Sequence, residues 1–298
     1  MEREWLLLML IMLLGGVALH SVAWLPSKPS DSTSGRAQEQ RAWLRLWYPV
    51  VPALLIAAWL GGWALTQFDP VRDRLGIWTL YGLWLPFAFI FGRAVVRAAW
   101  ALLRSTPDSG VSTIGLFRPQ TLFSPFLAKQ LDEQLICAAL AHEHAHARHR
   151  DPLRIWLAQL VTDLQWPWPP AQQRFISWLV ALELARDDEA RELGADGADL
   201  AAAVMASIRF TRQLAVKEPA LSSGTLFAHA RLFGDGHVLR ERVTRLLAPL
   251  CQVEQLAEDR ALSFQSAALL LVPALLLAAF AGAWFGPPVL QALLALTA

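Results

Sequence analysis

The stretch His142-Glu143-His144-Ala145-His146 determines how the rest of this chain is interpreted. On a helix, side chains four residues apart project from one face, so the imidazoles of His142 and His146 can reach a single metal ion. Zinc bound in this way keeps a position open for water and lowers the pKa of that water to about 7, while the carboxylate of Glu143 can accept its proton. The pattern predicts a hydrolytic zinc site on a helix over residues 131–149. The alternative is a solvated helix face that is rich in histidine.

A zinc site of this kind needs a third protein ligand. Residues 171–193 are predicted to form a long helix whose middle is apolar except for Glu183. A carboxylate in an apolar stripe is costly unless it has a charged partner, so Glu183 is the predicted third ligand. Asp187 follows one turn later on the same face, where it could accept the second N–H of a ligand histidine and orient that ring. Asp187, Asp188 and Glu189 remain alternative third ligands.

Several other polar residues lie close to these candidates. The end of the second helix carries a charged cluster that we interpret as a solvated face, namely Arg186, Asp188, Glu189, Arg191 and Glu192. His144 lies on another side of the metal helix and His149 follows the second ligand. Both are predicted to be surface groups or neighbours of the ligands.

The composition of the chain is typical of a membrane protein. Of its 298 residues, 55% are hydrophobic, and the mean hydropathy is +0.37, which is high for a soluble protein. The net charge is +1, so there is no electrostatic case for direct binding of nucleic acid. Cys137 and Cys251 show no paired spacing and are predicted to be reduced thiols.

Four apolar segments are predicted to be membrane-spanning helices, at 1–25, 48–66, 77–97 and 264–285. A cleaved signal peptide is the alternative for the first of them. Basic residues are concentrated in the linker over 26–47, so the positive-inside rule places this linker in the cytoplasm and the N-terminus outside. The predicted fold is a mainly α-helical, multi-pass protein of the bacterial inner membrane. Its cytoplasmic zinc domain covers 104–260, and a short extracytoplasmic tail covers 286–298.

Two short β-favouring runs precede the metal helix, at 111–117 and 120–123, joined through Arg118-Pro119. They predict a small hairpin or a bent strand. A zinc protease needs a strand edge beside its metal helix, where an extended substrate can bind by adding a strand of its own. A strand that only packs against the helix is the alternative.

Three motifs, taken together, resemble those of the BlaR/MecR-type membrane metallopeptidases. They are Gly115-Leu116-Phe117-Arg118-Pro119, the run from Leu140 to Asp151, and Glu183-Leu184-Ala185-Arg186-Asp187-Asp188. The segment 239–247 is similar to the basic segment that closes the family's domain. The resemblance implies a gluzincin-like zinc domain in which a Glu-x-x-x-Asp element supplies the third ligand and its neighbour. Family members with a known role are antibiotic sensors whose protease domain triggers loss of a winged-helix repressor. Sensing of β-lactams is not expected here, because no penicillin-binding sensor domain follows the fourth predicted span.

A peptide hydrolase also benefits from a hydrogen-bond donor aimed at the developing oxyanion. His237 precedes the basic segment much as a histidine does in the related CAAX-type membrane proteases, and it is one candidate for a catalytic role. Arg242 is a second candidate. A purely structural role is the alternative for both residues.

The sequence therefore predicts a membrane-integral, zinc-dependent endopeptidase that cleaves proteins at the cytoplasmic face of the bilayer. His142, His146 and Glu183 would bind Zn²⁺, Glu143 would act as general base and then acid, and Asp187 would orient a ligand. The substrate would be a protein or peptide, with a winged-helix repressor as a candidate in regulatory signalling. The alternatives are a quality-control protease, a non-catalytic scaffold that contains zinc, and a transporter or assembly factor.

Overall fold

A computed structural model describes residues 34–51, 111–165, 169–217 and 236–249, together with single residues and short runs between 85 and 103. The chain divides into two compact units. The candidate site lies in the unit made of Pro29–Ala42 and Phe91–Glu258. The other unit, made of Met1–Lys28, Trp43–Ile90 and Asp259–Ala298, falls mostly outside the described residues.

The described part of the chain is mainly helical and contains a two-stranded sheet. In chain order the elements are α1 (Gly35–Trp47), β1 (Val111–Ile114), β2 (Gln120–Phe123), α2 (Pro125–Ala128), α3 (Glu133–Arg148), α4 (Asp151–Leu164), α5 (Pro169–Glu192), α6 (Gly197–Lys217) and α7 (Gly236–Leu247). Residues 35–47, which the sequence analysis assigned to a linker, are therefore helical.

Strands β1 and β2 form an antiparallel hairpin that begins at Val111 opposite Phe123. Its turn requires a glycine, because Gly115 has a φ of 97° and a Cβ there would lie 2.6 Å from the carbonyl oxygen of Arg118. Both strands pack against α3. The hairpin thus places a strand beside the helix that carries the histidine motif.

Small side chains allow four helices to pack closely around one core. This cluster contains Ala138 of α3, Ala190 of α5, Leu200 and Ala201 of α6, and Leu246 of α7. The start of α6 lies directly on the end of α7, since a Cβ on Gly197 would overlap the carbonyl oxygen of Leu246. This packing fixes α7 against α5 and brings its basic residues to the carboxylates of α5.

The connection between α3 and α4 is a tight reversal at Arg150, which has a left-handed φ of 53°. A non-glycine residue adopts this conformation at a cost, so the surrounding structure must hold it there. The reversal makes Asp151 the first residue of α4 and buries it completely. Its carboxylate is thereby turned back toward the end of α3.

The membrane-spanning part of the predicted fold is wrong. Among the described residues, none of the helices combines the length and the apolar character that crossing a bilayer requires. The longest of them, α5, carries a run of charged residues from Glu183 to Glu192, which a bilayer core would not accommodate. The predicted spans at 1–25 and 264–285, and most of those at 48–66 and 77–97, lie outside the described residues. The prediction of four membrane spans and of a multi-pass inner-membrane location is therefore wrong.

Candidate metal centre

The histidines of α3 and one carboxylate of α5 converge on a common point. Their ligand atoms, one from each of His142, His146 and Glu183, lie within 4.8 Å of one another. The two Nε2 atoms are 3.0 Å apart, and the Glu183 oxygens lie 3.3 Å from Nε2 of His142 and 3.6 Å from Nε2 of His146. All three side chains are buried.

The spacing of these residues is close to that of the ligands around a tetrahedral metal ion. Nitrogen and oxygen ligands lie about 2.0–2.1 Å from a tetrahedral zinc ion, which puts neighbouring ligands about 3.3 Å apart. The two Nε2 atoms are 3.0 Å apart, Oε2 of Glu183 lies 3.3 Å from His142, and Oε1 of Glu183 lies 3.6 Å from His146. The residues present therefore fit a four-coordinate metal with three protein ligands and one further position.

The other ring nitrogen of each histidine faces a carboxylate. Nδ1 of His146 lies 2.8 Å from Oδ2 of Asp151, and Nδ1 of His142 lies 2.9 Å from Oδ1 of Asp187. The second contact is out of line with the ring N–H, so this nitrogen has an electrostatic partner without a well-aligned hydrogen bond. Carboxylates in this position fix the ring orientation and raise the basicity of a metal ligand.

These contacts favour the tautomer in which each ring carries its hydrogen on Nδ1, facing a carboxylate. The two Nε2 lone pairs then face each other across 3.0 Å, where one metal ion could accept both. Burial would lower the pKa of His142, but Asp187 and Glu183 outweigh it and raise that pKa to about 10.

A buried guanidinium joins the two carboxylates of α5. Arg242 of α7 donates to both oxygens of Asp187, through Nε at 2.5 Å and Nη2 at 2.7 Å, and its Nη1 lies 3.1 Å from Glu183. Burial alone would raise the pKa of the Glu183 carboxyl, but Arg242 and the two histidines hold it well below its usual range. The pKa of Asp187 is lowered by the same arginine and by His142, again against burial.

The balance of charge at the centre favours a divalent cation. Three carboxylates, those of Glu143, Glu183 and Asp187, act on one guanidinium, that of Arg242. With both histidines neutral, the centre carries an excess of two negative charges. A metal ion of charge +2 would neutralise it, and without one a proton on His142 does so in part.

A residue of the hairpin holds the side chain of Glu143 in place. The hydroxyl of Thr113 on β1 lies 2.7 Å from Oε2 of Glu143 and 3.0 Å from its backbone oxygen. Glu143 remains partly accessible although its neighbours His142 and His146 are buried. Its carboxylate is thus anchored to β1, and it acts on Arg242, whose pKa it helps to raise.

Behind the histidines lies a second layer of ion pairs. Arg186 donates to both oxygens of Asp151, at 2.5 and 2.9 Å, and its Nη1 lies 3.5 Å from Glu189. Glu189 also accepts from Arg148 at 2.8 Å. His146 and Arg186 hold the pKa of Asp151 below its usual range, although burial opposes this. The charged residues at the end of α5 were predicted to form a solvated face. That prediction was wrong for Arg186 and Glu189, which are buried.

No protein-family model, curated protein or solved structure matches this chain. The resemblance to the BlaR/MecR-type family therefore stays a prediction. The function has to be inferred from the centre itself.

The structure brings together five of the residues that the sequence singled out, namely His142, Glu143, His146, Glu183 and Asp187. His144 is exposed, and His149 is exposed with its Nε2 2.7 Å from Glu189. His237 is the second residue of α7, and its side chain lies outside the described part, so its catalytic role remains untested.

Two residues of the centre were not identified from the sequence. Asp151 carried a signal, because an Asp-Pro pair directly after the motif starts a new helix close to the ligands. Thr113 carried none beyond its place in a β-favouring run, since its contact with Glu143 spans 30 residues of sequence. Arg242 was named, but as an oxyanion donor rather than as the partner of Glu183 and Asp187.

Proposed function

We propose that this chain is a zinc-dependent endopeptidase. The observation that carries the proposal is the buried triangle of His142, His146 and Glu183, with Glu143 next to the first ligand. Two imidazoles and one carboxylate, with a fourth position left for water, are the ligand set of catalytic rather than structural zinc. The set suits zinc better than calcium or magnesium, which prefer oxygen ligands.

Bound at these three ligands, zinc would act as a Lewis acid toward the substrate carbonyl and make water acidic enough to attack at neutral pH. Glu143 would accept the proton of the attacking water and then deliver it to the leaving amine. Thr113 already occupies Oε2 of Glu143, so Oε1 is the oxygen available for this transfer. Asp151 and Asp187 would keep the two imidazole rings oriented.

The hairpin supports a peptide as substrate. Strand β1 packs against α3, and within the described residues the sheet contains β1 and β2 alone, so β1 keeps one edge without a strand partner. An extended peptide can bind to such an edge through backbone hydrogen bonds. We propose that the substrate lies along β1 and that its scissile carbonyl faces the centre.

The resemblance to the BlaR/MecR-type family supports a regulatory role for this activity. Under this proposal the substrate is a regulatory protein, and a winged-helix repressor is the candidate. A protease that clears damaged proteins would use the same centre with broader selectivity. Peptides that disappear only when the active protein is present would distinguish a narrow substrate range from a broad one.

The decisive variant is Glu143→Gln, because it removes the proton acceptor and retains the size of the side chain. The zinc-loaded protein should cleave a peptide library, and the variant should lose about 100-fold or more of that activity while it binds zinc as before. Glu133→Gln is the matched control, since Glu133 is exposed in the first turn of the same helix. Retained cleavage by Glu143→Gln would reject the mechanism.

A non-catalytic scaffold is the second candidate, and the position of Arg242 favours it. The Nη2 atom of Arg242 lies 3.4 Å from Nε2 of His142, so a cation already approaches the ligand triangle. Zinc binding to the purified protein, with no cleavage of any library peptide, would favour this candidate over the peptidase.

A further inference from the structure

The side chain of Thr113 is placed to control the carboxylate of Glu143. Its Oγ1 lies 2.7 Å from Oε2 of Glu143 and 3.0 Å from the backbone oxygen of the same residue. Both of these oxygens accept hydrogen bonds, whereas the hydroxyl has one proton to donate. The carboxylate is charged and lies closer, so it takes this proton while Glu143 is ionised.

The second acceptor fixes the position of the hydroxyl itself. Because Oγ1 lies 3.0 Å from the backbone oxygen and 2.7 Å from Oε2, Thr113 is in contact with both the backbone and the side chain of Glu143. The side-chain oxygen is thereby held at a defined distance from the backbone of α3.

The backbone that carries Thr113 is well defined. Thr113 lies opposite Thr121 in the register of the hairpin, and the hairpin packs against α3. A group on a paired strand is held more firmly than one on a loop. The strand is also the one to which the proposed substrate would add, so one element would position both the substrate and the base.

We infer that Thr113 is a positioning residue which orients the Glu143 carboxylate, directing Oε1 toward the reacting centre. This inference rests on the proposed peptidase function. It adds that the hairpin is a part of the catalytic apparatus as well as a binding edge.

The activity test compares three variants of the full chain loaded with zinc. Thr113→Val keeps the shape of the side chain but removes the hydroxyl, and kcat should fall by about 10- to 100-fold with little change in KM, because misplaced groups lose rate rather than binding. Thr113→Ser keeps a hydroxyl and should recover most of kcat. Thr121→Val makes the same change on the opposite strand and should leave kcat nearly unchanged. Equal losses in the three variants would overturn the inference.

A second measurement does not depend on activity. Crystal structures of the metal-free protein and of Thr113→Val should differ in the Glu143 side chain, which is ordered in the first and turned away or split between rotamers in the second. An unchanged, single rotamer in the variant would overturn the inference. Thr113→Ala replaces Thr113→Val in both measurements if the valine variant does not fold. If the native chain cleaves no peptide, the proposed function fails, and the crystallographic comparison still decides the role of Thr113.

Discussion

Zinc binding to the metal-free protein should release one proton at neutral pH. The two Nε2 atoms of His142 and His146 are 3.0 Å apart, at the point where the metal would bind. The pKa of His142 is raised to about 10, because Asp187 and Glu183 outweigh the opposing effect of burial. At pH 7 this proton is therefore present, and zinc must displace it.

The size of the effect follows from the number of protons displaced. A ligand that expels one proton binds about tenfold more tightly for each unit of pH, which corresponds to about 1.4 kcal/mol, until the pKa is reached. Zinc affinity should consequently rise about 100-fold over two pH units above neutrality. The stability of the metal-free fold depends on pH in the opposite direction. Because the pKa of His142 is raised, its proton stabilises the metal-free fold below the ordinary histidine range, and this contribution is lost as the pH rises toward 10.

Calorimetry in buffers of different ionisation enthalpy counts the protons released on zinc binding. Asp187→Asn removes a carboxylate that raises the pKa of His142, so the count at neutral pH should fall and the pH dependence should become shallower. Asp163→Asn is the control, because Asp163 is a buried carboxylate that pairs with Arg97 instead. A count near zero for the native protein, or an affinity independent of pH, would refute the presence of this proton on His142.

Two further substitutions test the packing around the centre. Arg242→Gln should destabilise the metal-free protein by about 3–5 kcal/mol, because it leaves two buried carboxylates without their shared cation. Zinc should recover part of this loss in thermal unfolding, and Arg240→Gln, an exposed change on the same helix, should have little effect. Gly35→Ala should cost about 1–3 kcal/mol in chemical denaturation, because its Cβ would lie 2.6 Å from the carbonyl carbon of Leu184. Gly236→Ala, where a Cβ meets nothing within 4 Å, should be tolerated, and equal losses at both glycines would contradict this interpretation.

The candidate metal ligands could be predicted from the sequence because their signals are local. The spacing of His142 and His146 follows directly from the helical repeat, and Glu183 stands out as a carboxylate in an apolar stripe. The spacing of Glu183 and Asp187 places them on one face in the same way. What the spacing alone did not fix was that α3 and α5 would face each other, which depends on the packing of small residues such as Ala138 and Ala190.

The wrong predictions share a physical cause. Each segment was interpreted from its own residues, without the residues that other elements bring to it. Arg186 and Glu189 look like a solvated face within α5, but Asp151 and Arg148 arrive from other elements and pair with them in the interior. The membrane prediction considered the apolar composition of each segment alone.

Pairing across elements also explains how such a charged interior can fold before a metal binds. Asp151 has Arg186 and Arg154, and Asp187 has Arg242, so both carboxylates that orient the histidines are already neutralised by side chains. In small zinc domains the unfolded chain has no preformed site, and binding energy is consumed in folding. Here the ligand triangle is held by arginines from α4, α5 and α7, independently of the ion. The free energy of the proposed zinc binding would then be opposed by one proton and the nearby charge of Arg242, rather than by the ordering of the chain.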